Sequence, residues 1–150
     1  MIALVQRVTE ASVSVEGQCI ASIGRGILAL VGVERGDGEA EAERLAQKIL
    51  GYRIFPDDAG KMNRSLLDIG GELLAVPQFT LVADTNSGTR PSFSSGASPA
   101  DGERLFVHLT GILKPRIKLA TGRFGADMQV SLVNDGPVTF WLQAQAKGKS

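Results

Sequence analysis

Histidine and cysteine are almost missing from this chain of 150 residues, which has one of each, His108 and Cys19. A lone thiol cannot close an internal disulfide, and one thiol with one imidazole cannot build a zinc cage. Cys19 falls in an apparent strand and reads as a small buried side chain. His108 lies in the amphipathic run Glu103 to Leu109 and reads as a surface residue of a helix. It is a poor base for serine-type catalysis, which needs a positioned imidazole. Net charge is missing too: 16 Lys and Arg balance 16 Asp and Glu. Proteins that wrap nucleic acid need an excess of cations for many phosphate contacts, and this chain has none. No apolar run approaches the ~18 residues of a membrane span. The apolar start, Met1 to Arg7, has no basic region before it, which argues against a secretory signal. A cytoplasmic location away from membranes follows. No G-x-S-x-G elbow, Walker loop or G-x-G-x-x-G fingerprint occurs, and neither metal nor cofactor is expected.

What remains, 43% hydrophobic residues over 150 positions, suits one globular domain with its own core. Ile2 to Val15 alternates loosely as a strand, and Glu16-Gly17 turns it into a second strand, Gln18 to Ile23. Ile27 to Val33 is a continuous apolar run typical of a central strand. Glu39 to Leu50 places Ala42, Leu45, Ala46, Ile49 and Leu50 on one helical face, with Asp37 as N-cap. Arg53 to Phe55 is a short strand, Pro56 to Gly60 a turn, and Glu72 to Val76 a buried strand. Asp84 to Pro99 is a long polar loop, Ala100 to Leu113 a second helix ended by Pro115, and Ile117 to Thr121 a short strand. Met128 to Val133 and Val138 to Leu142 complete the set. The predicted fold is α+β: a single domain over 1–150, with a mostly antiparallel sheet or partly closed β-barrel and two packed helices. Residues 144–150 are expected to form a flexible tail, frayed at Lys147 to Ser150.

Charges are unevenly placed. Glu39, Glu41 and Glu43 cluster early, whereas Arg104, Lys114, Arg116, Lys118 and Arg123 follow Glu103 without an intervening acid. This reads as two solvated faces, or as a basic stretch that touches a few phosphates. Chemistry is concentrated in loops: Gln78-Phe79-Thr80 after a buried strand, Arg90-Pro91-Ser92-Phe93 in the long loop, Thr121 to Met128 before a strand, and Asn134-Asp135-Gly136-Pro137 between two. A strand running into a short polar turn presents successive backbone N–H groups, as oxyanion holes do. Gly136-Pro137 reads either as a tight hairpin corner or as a backbone device that aims carbonyl oxygens into a pocket.

The chain resembles the D-aminoacyl-tRNA deacylases of the bacterial and eukaryotic type from Met1 to about Gln143. The segments that carry the likeness include Ile2 to Val8, Gly51 to Phe55, Gly60 to Asn63, Gln78 to Leu81, Arg90 to Ser94, Thr121 to Phe124 and Val130 to Trp141. The resemblance implies a homodimer that hydrolyses the ester between a D-amino acid and the terminal ribose of tRNA. It further implies a cis Gly136-Pro137 pair that reaches into the partner subunit's site and sterically excludes L-side chains, with Arg7 fixing its orientation and glycyl-tRNA also accepted. Phe124, Gly125 and Met128 are similar to residues around the terminal adenosine, and Ser92 joins them as a substrate-binding candidate. Backbone N–H groups of Gln78, Phe79 or Thr80 are the candidates for the oxyanion hole, and the Thr80 hydroxyl is either a nucleophile or a positioning group. Two departures stand out: Pro77 replaces the usual Ser, and Gly125 the common Ala. The competing readings are a non-catalytic RNA-binding module and a hydrolase of free D-amino-acid esters or peptides.

Overall fold

The computed structural model describes residues 1–146; Lys147 to Ser150, read above as a frayed tail, lie outside the described residues. Strand β1 (Ile2–Val15) is a long scaffold of 14 residues. It turns at Glu16-Gly17, both at positive φ (51° and 79°), a conformation that favours a two-residue hairpin, into β2 (Gln18–Ile23). Strand β3 (Gly26–Gly32) pairs antiparallel with the first half of β1. Helix α1 (Glu39–Gly51) then buries Ala42, Leu45, Ala46, Ile49 and Leu50. A small hairpin, β4 (Phe55–Pro56) with β5 (Met62–Arg64), leads to helix α2 (Leu66–Ile69). Next come β6 (Glu72–Pro77), a 3-10 turn (Phe79–Val82), helix α3 (Pro99–Leu113), β7 (Lys118–Thr121) and β8 (Gln129–Gln143).

Five strands run in the order β2-β1-β3-β6-β7, and β8 pairs along the other edge of β1. Pairs made by β1 are antiparallel, whereas β3-β6 and β6-β7 are parallel. The sheet curls until β2 faces β6 and β7, giving a nearly closed barrel. Alternate residues divide between two cores. One face, with Ala3, Val5, Ala29, Val31, Leu73 and Ala75, is covered by α1 and α3. The other closes around Val8, Ala11, Val13, Leu28, Leu74 and Val76, with Met128, Val130 and Leu132 packed on it. A fully buried Leu, Ile or Phe contributes about 1.5–3 kcal/mol, so these two layers dominate the fold.

Several expectations are corrected. Helix α2 is a third helix, started by a reciprocal capping box: Ser65 Oγ accepts from Asp68 N at 3.1 Å and Asp68 Oδ2 accepts from Ser65 N at 2.8 Å. Asp37 does not cap α1. Gly38 holds that position without a side-chain bond, because Asp37 Oδ2 instead meets the Met1 ammonium at 2.8 Å and accepts from Glu34 N at 2.7 Å. Cys19 is exposed, its side chain facing out of the hairpin. His108 is half-buried between α3 and α1, with Nε2 3.6 Å from Glu43 Oε1. Ala144 is not part of a loose tail: it is buried, and it exchanges two hydrogen bonds with Met1. The segments Met128 to Val133 and Val138 to Leu142 are not two strands around a hairpin corner. They belong to one strand, β8, paired with β1 at both ends.

Candidate active site

Strands β3, β6 and β7 are parallel, so their carboxyl ends lie at one edge of the sheet, where open α/β sheets hold ligands. Each strand ends by delivering a site segment there: Val33 after β3, Gln78 after β6, and Gly122 to Phe124 after β7. With the amino end of α3, they enclose a cavity of about 450 Å³. Val31, Val33, Val82 and Phe106 make it apolar, Phe124 and Met128 form a wall, and no charged side chain lines it. Such a space fits a flat, uncharged group held by a few backbone contacts.

Glycine makes the close approaches possible. A Cβ on Gly122 would stand 2.9 Å from Met128 Sδ and 3.3 Å from Pro77 Cδ, so a larger residue there would displace the Met128 side chain from the wall. Gly125 has φ 77°, in the left-handed region that glycine occupies without penalty, which accounts for glycine at this turn. Pro77 fits at the end of β6, where a missing donor matters least.

At the rim, Gln78 N donates to Val31 O at 2.8 Å. That N–H is consumed in extending the sheet, which removes Gln78 from the oxyanion-hole candidates. Phe79 and Thr80 open the 3-10 turn, and their N–H groups are first-turn donors without an intrahelical acceptor. Thr80 is exposed, and its hydroxyl accepts from Gln78 Nε2 at 3.2 Å. No imidazole or carboxylate lines this cavity. Ser92 lies outside it, its backbone paired in both directions with Asp84 and its hydroxyl 3.1 Å from Ser94 Oγ.

The structure therefore brings Gln78, Phe79, Phe124, Gly125 and Met128 together, and places Thr80 beside them at the rim. Val33, Ser98, Gly102 and Phe106 also line the cavity and were missed. Ser98 had a readable signal, because a serine before Pro99 and three residues ahead of Asp101 is an N-cap pattern; its Oγ accepts from Asp101 N at 3.2 Å.

Arg7, Gly136 and Pro137 form a separate constellation. In the β1-β8 ladder Gln6 pairs with Thr139 and Val8 with Asn134, so Asp135, Gly136, Pro137 and Val138 bulge out opposite Arg7 alone. The Gly136-Pro137 bond is cis, and Gly136 has φ 128°. Arg7 clamps the bulge: Nε reaches Asp135 O at 3.3 Å and Asp135 Oδ2 at 3.2 Å, while Nη1 donates to Ile54 O at 2.7 Å. Asn134 closes it, Oδ1 accepting from Val138 N at 3.1 Å and Nδ2 donating to Thr139 Oγ1 at 3.0 Å.

A nearly closed barrel with an apolar cavity at its parallel-strand edge and two amide donors on the rim defines a small α+β domain with a ligand-sized site. The chain belongs to the D-Tyr-tRNA(Tyr) deacylase family, whose model matches residues 4–143. It is 59% identical to a D-aminoacyl-tRNA deacylase of Alkalilimnicola ehrlichii over 97% of each chain. It is 60% identical to one of Photobacterium profundum, over 95% of this chain and 99% of that one. Among solved structures, one described as c-Myc DNA Unwinding Element Binding Protein superposes with TM-score 0.92 at 40% identity, covering 97% of this chain and 100% of that one. A probable eukaryotic D-amino acid tRNA deacylase shares the fold, with TM-score 0.80 at 16% identity over 95% of this chain and 98% of that one.

Proposed function

We propose that the chain hydrolyses the ester of D-aminoacyl-tRNA, releasing the D-amino acid and tRNA. The observation that carries this reading is the uncharged apolar cavity with the Phe79 and Thr80 N–H groups at its rim, in a chain about 60% identical to named deacylases. The terminal adenosine occupies the cavity against Phe124, Gly125 and Met128. The amides stabilise the oxyanion that develops as water attacks the ester carbonyl. An aminoacyl ester is already activated, and one such donor is worth about 2.7–4 kcal/mol in other hydrolases. The neighbouring ribose hydroxyl assists proton transfer, so the missing side-chain base is no obstacle. Thr80 positions the turn through Gln78 and is not the nucleophile, since an unassisted hydroxyl is weak.

Handedness is imposed by Gly136 and Pro137 of a second copy, whose main-chain oxygens leave no room for an L-side chain. Glycyl esters, having no side chain, pass. What supports this arrangement is that Gly136 and Pro137 are exposed and the bulge is firmly braced by Arg7, yet does not line its own chain's cavity. Around it lies an exposed apolar face, Val133 and Phe140 on β8 with Tyr52, 5.8 Å from the Phe140 ring. A second copy covering that face makes a homodimer. Working on tRNA places the protein in the cytoplasm; among the described residues no helix is long and apolar enough to cross a membrane.

Deacylation of matched D- and L-aminoacyl-tRNA by the purified protein tests the activity and the filter together. The D-ester is cleaved and the L-ester spared. Cleavage of neither overturns the activity, cleavage of both overturns the filter, and a monomeric mass in solution overturns the shared site.

A further inference from the structure

Two large aromatic rings stand uncovered at the mouth of the cavity. Phe79 is 70% and Phe93 46% exposed, and their centroids lie 5.4 Å apart with planes tilted by 50°. Large exposed apolar groups that touch one another mark a contact surface. Both backbones are pinned. Phe79 opens a turn closed by Leu81 N to Gln78 O at 3.3 Å, and Phe93 follows the Ser92-Asp84 pair and accepts from Gly96 N at 3.1 Å. The backbone positions of both rings are thus set in advance of binding, which lowers the ordering cost.

The surroundings say which way a polyanion leaves the cavity. One flank is a second, polar cavity lined by Glu34, Asp37 and Asp101, whose carboxylates meet the Met1 ammonium and Arg104, with Arg35 beside them; it holds no cationic excess for a phosphate. The segments that carry the site also bring two cations, alongside exposed Asp84, which pairs with Ser92. Exposed Arg123 precedes Phe124, exposed Arg90 precedes Phe93 by three residues, and neither enters an ion pair among the described residues. A chain of zero net charge has no excess of cations with which to grip RNA, and stacking supplies affinity that needs none.

We propose that Phe79 and Phe93 form the stacking platform for the nucleotide preceding the terminal adenosine, so that the enzyme grips two residues of a single-stranded RNA 3′ end. This rests on the cavity taking that adenosine. Because every base has a π-face, the platform tolerates any base there.

The test compares D-tyrosyl esters of adenosine and of cytidylyl-adenosine as substrates of the full chain, with binding of the two unacylated compounds measured in parallel. Wild-type kcat/KM is higher on the dinucleotide by roughly 5- to 150-fold, the range that about 1–3 kcal/mol of base–aromatic stacking provides. Phe93→Leu, which keeps an apolar side chain but removes the π-face, brings the ratio near one, and Phe93→Tyr restores it. A wild-type ratio near one, or a ratio retained in Phe93→Leu, overturns the platform. So does a change of protomer number in Phe93→Leu, which would make the ring pair a contact between copies. If neither ester is cleaved, the hydrolytic reading fails on its own. The platform is then judged by binding alone: tighter dinucleotide binding lost in Phe93→Leu upholds it, and equal binding overturns it.

Discussion

Replacing Gly136 by alanine tests whether the β8 bulge is a built feature or a tolerated irregularity. A Cβ there would lie 2.6 Å from Val138 Cγ2, 3.0 Å from Val138 N and 3.3 Å from Arg7 Nη2. Val138 is 7% exposed, so its side chain cannot swing into solvent, and its N–H is held by Asn134. The φ of 128° adds a conformational penalty of about 1–3 kcal/mol for a residue with a Cβ. Overpacking adds about 1–3 kcal/mol more. Urea titration should therefore show a loss of roughly 2–6 kcal/mol, the lower value applying if the bulge relaxes. Relaxation has its own cost, because it pulls Asp135 from Arg7 and should abolish the preference for D- over L-aminoacyl-tRNA. Gly88→Ala provides the comparison: it has positive φ (63°) but nothing within 4 Å of its Cβ, so it pays only the backbone term, about 1–2 kcal/mol. A Gly136→Ala protein no less stable than Gly88→Ala, and still selective, would refute the reasoning.

Three other substitutions probe separate parts of the chain. Thr80→Ala keeps the backbone N–H and loses only the bond to Gln78 Nε2, so deacylation should stay within about tenfold, or about 1.4 kcal/mol; a loss of a thousandfold or more would make the hydroxyl a nucleophile. Gly111→Ala, on α3 with nothing within 4 Å of the new methyl, should stabilise by about 0.5–1 kcal/mol, and a lowered denaturation midpoint would show that the site is not open. Asp57 accepts from Ala59 N, Lys61 N and Asn63 Nδ2, and the Asn63 bond above all, followed by that of Lys61, holds its carboxyl below the usual range. A pKa depressed by folding contributes stability above the unfolded value and loses it as pH falls through the folded one. Asp57→Ala should therefore be less stable than wild type at pH 7, with the gap closing as the pH drops below about 4; a gap independent of pH would assign the effect to packing.

Most strands were legible because Gly or polar turns bound them: Ile27 to Val33 and Glu72 to Val76 each match a strand within one residue at either end. Helix α2 was legible but missed, since Ser65 and Asp68 form a capping signal and Gly70 at φ 61° an ordinary stop. Other features depend on partners that a local pattern does not contain. The side of β2 on which Cys19 falls is set by its register with β1, which shifts between Val13 and Ser14. Asp37 has the right residue type and position for an N-cap, but a buried ammonium outcompetes the helix for its carboxylate. Phe106 and Val33 read as core from sequence, and whether an apolar residue faces a neighbour or an empty cavity is decided only when three strand ends and α3 converge.

The bulge shows this limit most sharply. Alternation on either side of Gly136-Pro137 is the same whether the flanking segments fold back on each other or run on along a third strand. What separates the two cases is the pairing with β1, whose ladder with β8 runs on both sides of the bulge, from Gln143 opposite Ile2 to Gln129 opposite Ser14. Once β8 is continuous, its surplus residues must leave the ladder, and Arg7 opposite them becomes the one β1 side chain free to hold them. The same topology explains why the constellations are separate. The cavity is lined by segments that leave the carboxyl ends of parallel strands β3, β6 and β7 and by the amino end of α3, whereas the bulge lies midway along an antiparallel strand. A single copy does not bring the two into one pocket, and that separation is the physical reason for seeking the chiral filter in a second copy.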